Sequence, residues 1–107
     1  MDAYRNLLEQ IRDHLSRYGV RRWPPRLDEW IQELDSLGPE GLKSHLHRTL
    51  KSLGGMGSIG DIVICPEAGH DIPTERPLIK AVNDRLVALT DELYAEAKRR
   101  LSQLEGG

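Results

Sequence analysis

The residues best suited to covalent chemistry lie together near the middle of the 107-residue chain. Cys65, the only cysteine, is followed by His70 and Asp71. A histidine can take the proton of a nearby thiol and leave a nucleophilic thiolate, and a carboxylate can orient the imidazole ring. One hypothesis is therefore a small enzyme that uses Cys65, His70 and Asp71. We favour a structural role for them, because the partners of cysteine nucleophiles usually lie far apart in sequence.

The residue set gives poor support for a metal site. Structural zinc normally needs four nitrogen or sulfur ligands, and the chain offers one cysteine and four scattered histidines. His45 and His47 are two positions apart, so on a helix they point to different sides. We therefore expect no metal and no cofactor.

The stretch LGGMGSIGDIVIC, residues 53–65, raises the question of a phosphate-binding loop. Such a loop leads from a strand into a helix, and in the Walker pattern it carries a lysine that reaches the phosphates. Here the lysine is missing, and the apparent order is a helix, then glycines, then a strand. The glycine spacing of a dinucleotide-binding loop is not met either. We therefore do not expect nucleotide binding.

The glycine content of this stretch favours a shaped surface instead. Four of the seven residues from 54 to 60 are glycine, and each glycine adds to the conformational entropy that folding must remove. A plain connection between a helix and a strand needs fewer of them. We predict a backbone shaped to contact a protein partner, with acidic residues able to face a basic one. The predicted contact residues are Met56, Gly57, Ser58, Ile59, Asp61 and His70.

The arginine-rich stretch RYGVRRWPPR, residues 17–26, supports a second alternative. Arginines around a tryptophan can contact phosphates and stack on bases, as in a nucleic-acid binder. The formal net charge of the whole chain is −2, however, and acidic residues follow directly, so nucleic acid is the less favoured partner. Protein contacts fit better, because Trp and Arg often anchor protein interfaces. The residues of this alternative are Arg21, Arg22, Trp23 and Arg26.

Apolar residues at steps of three and four predict a first helix over about residues 3–18, which Gly19 ends. A second helix is expected to begin only near Leu27. Pro24 and Pro25 lie just before that position, and each lacks an amide hydrogen and restricts the residue that precedes it. The sequence therefore predicts a non-helical link between the first two helices.

The same spacing predicts a third helix from Pro39 to the glycines at 54 and 55. A long last helix is expected to start at Thr74, as its cap, and to continue to the C-terminus. Between these helices, residues 61–65 have the two-residue period of a strand, and turn residues follow. A short hairpin of 61–65 against 70–73 is one expectation, and an irregular loop is the other.

Composition indicates one cytoplasmic domain. Charged residues make up 30% of the chain and hydrophobic residues 38%, which is typical of a globular protein with a modest core. The N-terminal segment mixes charges with apolar residues, unlike a signal peptide, and no apolar run approaches the roughly 20 residues of a membrane helix. The expected fold is mostly α: four helices in a single domain over residues 1–107, with a glycine-rich connection and a hairpin or loop at about 54–76.

The segment LKSHLHRTLKSLGGMGSIGDIVICPEAGHDI resembles a family of small, uncharacterised bacterial domains. Residues 53–58, Asp61 to Ile64, and Gly69 with His70 carry the resemblance, in which a leucine-rich helix runs into LGGMGS and an acidic residue precedes a short aliphatic run. The family is a domain of unknown function for which immunity or antitoxin roles have been suggested. The resemblance implies a bacterial source and a shared site, without an established activity.

The leading hypothesis is a non-enzymatic protein-binding module, such as a bacterial immunity or antitoxin-type protein whose partner is a toxin or effector. No membrane contact is expected. A homodimer through the C-terminal helix is a further expectation, because its apolar residues keep a nearly heptad spacing.

Overall fold

The computed structural model describes residues 2–54 and 58–106 and shows a bundle of four helices. Three short 3-10 turns, at Leu34–Ser36, Ile59–Asp61 and Pro66–Ala68, lie between the helices, and the described residues contain no strand. The mostly α fold is therefore confirmed. The helices are α1 (Asp2–Arg17), α2 (Trp23–Glu33), α3 (Pro39–Ser52) and α4 (Arg76–Glu105).

The long helix α4 is the axis of the bundle. It has 30 residues, which at 1.5 Å per residue gives a length of about 45 Å, close to the 48 Å longest dimension of the protein. Both α1 and α3 pack against it. None of the described helices is long and apolar enough to cross a membrane.

Polar contacts link α1 to α2 and to α4. Arg12 on α1 donates to Asp28 on α2 at 2.7 Å, and Arg5, nearer the start of α1, pairs with Asp35 beyond the end of α2. The two helices therefore run antiparallel. On the other side, the His14 ring contacts the carbonyl of Val82 on α4 at 2.9 Å.

The core is built from the inward faces of the four helices; in α1 these include Tyr4 and Leu8. Each helix turns its apolar stripe inward, and the segment between α3 and α4 adds Ile59, Ile64 and Ile72. Burial of this apolar surface is the main force that holds the bundle together. The largest fully buried aliphatic side chains are Leu8, Ile11, Leu15, Leu27, Leu46, Ile59, Ile64, Leu89 and Leu93.

The expected start of α2 near Leu27 is wrong, because the helix begins at Trp23. Pro24 and Pro25 occupy its first turn. The first amides of an α-helix have no partner within the helix, so a residue without an amide hydrogen loses nothing there. The two prolines thus start the helix that they were expected to exclude.

The hairpin expectation is also wrong, and the loop alternative is confirmed. The polar groups that a ladder would need are used locally: the carbonyl of Cys65 accepts the amides of Ala68 and His70, at 3.2 and 3.4 Å. The turn closes at Gly69, whose φ of 80° is left-handed. The amide of Asp71 then donates to the carbonyl of Tyr18, at 2.8 Å, instead of to a neighbouring strand.

Among the glycines, Gly60 is the one that a close approach requires. A Cβ atom at this position would lie 2.3 Å from the backbone oxygen of Leu53. Gly54, one of the two glycines expected to end α3, is not left-handed, because the described glycines with positive φ are Gly19 and Gly69; Gly55 lies outside the described residues. Thr74 is not the cap of α4 either, since Glu75 takes that position.

Candidate functional site

A small groove forms where the start of α2 meets the segment after the glycines. Its volume is about 220 Å³. We call it the Val63 groove, because Val63 on its edge is the most exposed large hydrophobic residue described, at 63%. It is lined by Val20, Arg22, Trp23, Ser58, Asp61, Ile62, Val63 and His70.

The groove joins two stretches that were predicted to serve different partners. Trp23, from the arginine-rich stretch, lies at the groove but is only 6% exposed. Its ring packs edge-to-face against Trp30, with the centroids 6.2 Å apart, and the guanidinium of Arg26 lies 5.3 Å from its centre. Trp23 is therefore part of the core, and its ring is too buried to stack on a base. Arg21, Arg22 and Arg26 are exposed.

The segment on the other side of the groove is held firmly to the bundle. Ile59 and Ile64 are fully buried. The Asn83 side chain, on α4, accepts the amide of Ile64 at 2.7 Å and donates to the carbonyl of the same residue at 2.8 Å. Because both ends of the segment are fixed, the groove exists before any partner arrives, which lowers the entropic cost of binding.

His70 contacts the backbone of Cys65 and not its thiol. The Nδ1 atom of His70 accepts the backbone amide of Cys65, at 3.1 Å, so in the neutral ring the proton is on Nε2. Among the described residues the thiol of Cys65 makes no hydrogen bond to His70, and the carboxylate of Asp71 lies against Gly19. The enzyme hypothesis stays a prediction, which alkylation of Cys65 in the folded protein tests.

The predicted contact residues divide into three groups. Met56 and Gly57 lie outside the described residues. Ser58 is 7% exposed and Ile59 is fully buried, so Ile59 supports the surface from below. Ser58, Asp61 and His70 line the Val63 groove.

Sequence reasoning missed a buried polar cluster between α1, α2 and α3. The Tyr4 hydroxyl lies 2.7 Å from Thr49 Oγ1 and 2.8 Å from His45 Nε2. The other ring nitrogen of His45, Nδ1, lies 2.5 Å from a carboxylate oxygen of Glu33, which Arg48 also contacts at 2.7 Å. No local spacing could have indicated this cluster, because Tyr4 and His45 are 41 positions apart.

Burial sets the protonation of this cluster. It lowers the pKa of His45, although the hydrogen bond and charge of Glu33 act in the opposite direction. Burial would raise the pKa of Glu33, but the hydrogen bond from His45 and the charge of Arg48 outweigh it, and the pKa is lowered. Burial also raises the pKa of Tyr4. In the neutral ring, Nδ1–H then donates to Glu33, and Nε2 accepts from Tyr4.

The buried position of this cluster indicates a structural role. Tyr4, His45 and Thr49 are each 1% exposed or less, so a ligand has no access to them in the folded protein. Their hydrogen bonds satisfy polar groups that would otherwise be costly to bury. Elsewhere, residues 2–54 and 58–106 bring no three His, Cys, Asp or Glu side chains together in a way that could hold a metal ion.

Residues 16–73, which are more than half of the chain, match the family model of a domain of unknown function, DUF6966. The chain belongs to the DUF6966 family. The expectation of a domain of unknown function is therefore confirmed, while the bacterial source stays a prediction. No curated protein and no solved structure matches the chain.

The DUF6966 match covers the whole groove and only part of its support. All the lining residues, from Val20 to His70, lie within residues 16–73. Asn83, which holds Ile64, and Tyr4 of the buried cluster lie outside the matched segment. The groove is thus the feature of this DUF6966 chain that the matched segment contains completely.

Proposed function

We propose that this DUF6966 protein is a non-enzymatic protein-binding module, and that the Val63 groove takes a segment of its partner. The observation that carries the proposal is the exposure of Val63, at 63%, on the edge of a preformed groove. When a partner covers an apolar side chain in that position, the free energy of the complex is lowered.

The size of the groove favours a side chain as its occupant. Pockets for small molecules usually enclose about 300–1,000 Å³, whereas the Val63 groove encloses about 220 Å³. Its lining combines buried apolar side chains, such as Val20 and Trp23, with exposed polar ones, such as Arg22 and Asp61. Protein interfaces usually combine an apolar centre with a polar rim.

We further propose a class for the partner protein. The resemblance to small bacterial domains supports an immunity or antitoxin-type role, in which the partner is a toxin or effector. If so, expression of the protein should protect a cell that produces the partner, and a variant with an altered groove should not. Protection that is independent of the groove would contradict this role for the Val63 groove.

A photo-crosslinking experiment tests the proposed surface. A photoreactive amino acid replaces Val63 in one variant and Val87 in a second, and both are expressed in the cell that encodes the protein. Val87 is the matched control, because it is an exposed valine on α4, at 57%. We expect a partner that crosslinks at position 63 and not at position 87.

Binding of the purified partner then decides the proposal. We expect Val63→Asp to raise the Kd at least about tenfold, which corresponds to about 1.4 kcal/mol, and Val87→Asp to leave it within about twofold, since exposed substitutions outside an interface have small effects. Equal crosslinking at both positions, or a Kd that Val63→Asp does not change, would contradict the proposal.

A homodimer through α4 is a separate proposal. Tyr94, in the second half of α4, is exposed, at 46%. Light scattering of the wild type and of a Tyr94→Asp variant tests it. A dimeric mass for the wild type that becomes monomeric in the variant would support the proposal.

A further inference from the structure

Residues 62–65 begin and end with extended residues, and the segment is paired along one edge. Ile62 and Cys65 have extended backbone angles, with φ −73° and ψ 129° at Ile62 and φ −157° and ψ 155° at Cys65. Asn83 binds both the amide and the carbonyl of Ile64. Its side-chain amide therefore takes the position of a residue in a neighbouring strand.

The opposite edge of this segment has an open position at Val63. In an extended chain, alternate residues direct their N–H and C=O groups to the same edge. The amide of Cys65 points to His70, so the amide and carbonyl of Val63 face the same side. Within residues 2–54 and 58–106, these two groups of Val63 have no hydrogen-bond partner.

The side to which the Cys65 amide points is the side of His70, and His70 and Val63 both line the Val63 groove. We infer that the groove binds an acidic segment of a partner protein in extended conformation. One residue of the segment pairs with the amide and carbonyl of Val63, and a neighbouring apolar side chain enters the groove. The inference rests on the proposed function and adds the conformation and charge of the partner segment.

Hydrogen bonding favours an extended segment over a helix. A helix satisfies its own main-chain groups and cannot pair with Val63. If a helix covered the groove, it would bury the amide and carbonyl of Val63 without partners, which is unfavourable. An extended peptide supplies both missing hydrogen bonds, as in other complexes formed by strand addition.

The polar residues at the groove indicate the charge of the segment. Asp61 lines the groove, but it already has an interaction partner. Arg22 is exposed and has no ion-pair partner among the described residues, and exposed Arg21 precedes it. The Nε2–H of the neutral His70 ring is a further donor, since Nδ1 already accepts the Cys65 amide. A carboxylate on the partner would complement these donors. The expectation that acidic residues of this protein face a basic partner stays a separate prediction.

A selection from random peptides tests the inference, because it does not require the partner to be identified first. A phage-displayed library of random dodecapeptides is selected on the wild-type protein, with removal of the phage that bind a Val63→Pro variant. Proline removes the Val63 amide hydrogen, and it suits the extended backbone of Ile62 before it. Since that amide has no partner within the described residues, we expect the variant to keep the thermal stability of the wild type.

We expect the selected peptides to be acidic, with apolar residues at alternate positions. For a synthetic peptide from the selection, Val63→Pro should raise the Kd about tenfold. The reason is that the variant loses one main-chain hydrogen bond to the peptide and can no longer pair with it in the same geometry. Val63→Thr, which keeps the backbone groups, should change the Kd by less than about threefold. N-methylation of one backbone amide of the peptide should weaken binding as strongly as Val63→Pro does.

The arms of this experiment separate the inference from the proposed function. If Val63→Asp abolishes binding of the crosslinked partner but N-methylation and Val63→Pro have no effect, strand pairing is wrong and the proposed function stands. If the library yields basic or helical peptides, or none that prefers the wild type, the inference is also wrong. Peptide binding with no effect of Val63→Asp on the crosslinked partner would overturn the proposed function.

Discussion

The side-chain amide of Asn83 holds both main-chain polar groups of Ile64, with distances of 2.7 and 2.8 Å. A third hydrogen bond, to the carbonyl of Ile79 at 2.8 Å, orients the amide on its own helix. One side chain of α4 thus fixes the extended segment that forms an edge of the Val63 groove.

Replacement of Asn83 should loosen this edge. We expect Asn83→Ala to lower the free energy of unfolding by about 1–3 kcal/mol, because the amide and carbonyl of Ile64 lose their partners. Chemical denaturation measures the loss, and hydrogen exchange of the Ile64 amide should become faster. Asn6→Ala, at an exposed position of α1, is the control and should change stability by less than about 0.5 kcal/mol. Equal stability of the two variants would contradict this role of Asn83.

Removal of the Tyr4 hydroxyl should destabilise the buried cluster. In Tyr4→Phe, the Nε2 atom of His45 loses its donor, and the expected loss is about 1–2 kcal/mol of unfolding free energy. Tyr94→Phe is the matched control, because Tyr94 is 46% exposed and its hydroxyl can remain in water. A thermal unfolding experiment that finds no difference between the two variants would show that the cluster does not contribute to stability.

The cluster also predicts a loss of stability in acid. The pKa of His45 in the folded protein is below its ordinary value of 6.5, so below pH 6.5 the unfolded chain binds more protons at this ring. Stability is therefore complete above pH 6.5 and falls as the pH drops toward the folded pKa, by at most about 1.4 kcal/mol per pH unit for one group. The lowered pKa of Glu33 adds a second loss below its ordinary 4.5.

Denaturation at a series of pH values measures this effect. In His45→Gln the part of the loss that begins near pH 6.5 should disappear. His47→Gln should keep it, because the side chain of His47 is 60% exposed. A His45→Gln profile parallel to that of the wild type would assign the acid sensitivity to other groups.

A methyl group at Gly60 should be poorly tolerated. Its Cβ would lie 2.3 Å from the backbone oxygen of Leu53, so the chain must shift, and we expect Gly60→Ala to cost about 1–3 kcal/mol. Gly54→Ala is the control, since a Cβ there meets nothing within 4 Å and the backbone angle φ is not positive. If both variants unfold at the same denaturant concentration, the close approach of Leu53 and Gly60 is not required.

The helices could be predicted from the sequence because their apolar stripes are local patterns. The last helix and the end of α1 at Gly19 follow from spacing and from one permissive residue. The start of α2 was harder to predict from Pro24 and Pro25. Proline interrupts a helix when it lies in the interior, but it is favourable in the first turn. The choice between these positions depends on Trp23, which the core buries.

The candidate site was only partly predictable for a different reason. The sequence pointed to the segment after the glycines, and Asp61 and His70 do line the groove. Arg22 and Trp23 were assigned to another function, because nothing local shows that α2 begins beside this segment. Asn83 and the cluster around His45 depend on contacts between helices distant in sequence, which spacing does not encode.

The support of Ile64 by Asn83 limits how the binding surface can be transplanted. Residues 16–73 contain every residue that lines the groove, yet the side chain that braces its edge belongs to α4. A chimera that received residues 16–73 alone would inherit the chemistry of the surface without its shape. The transferable unit is the pair of segments, the loop with its groove and the first turns of α4 as its scaffold.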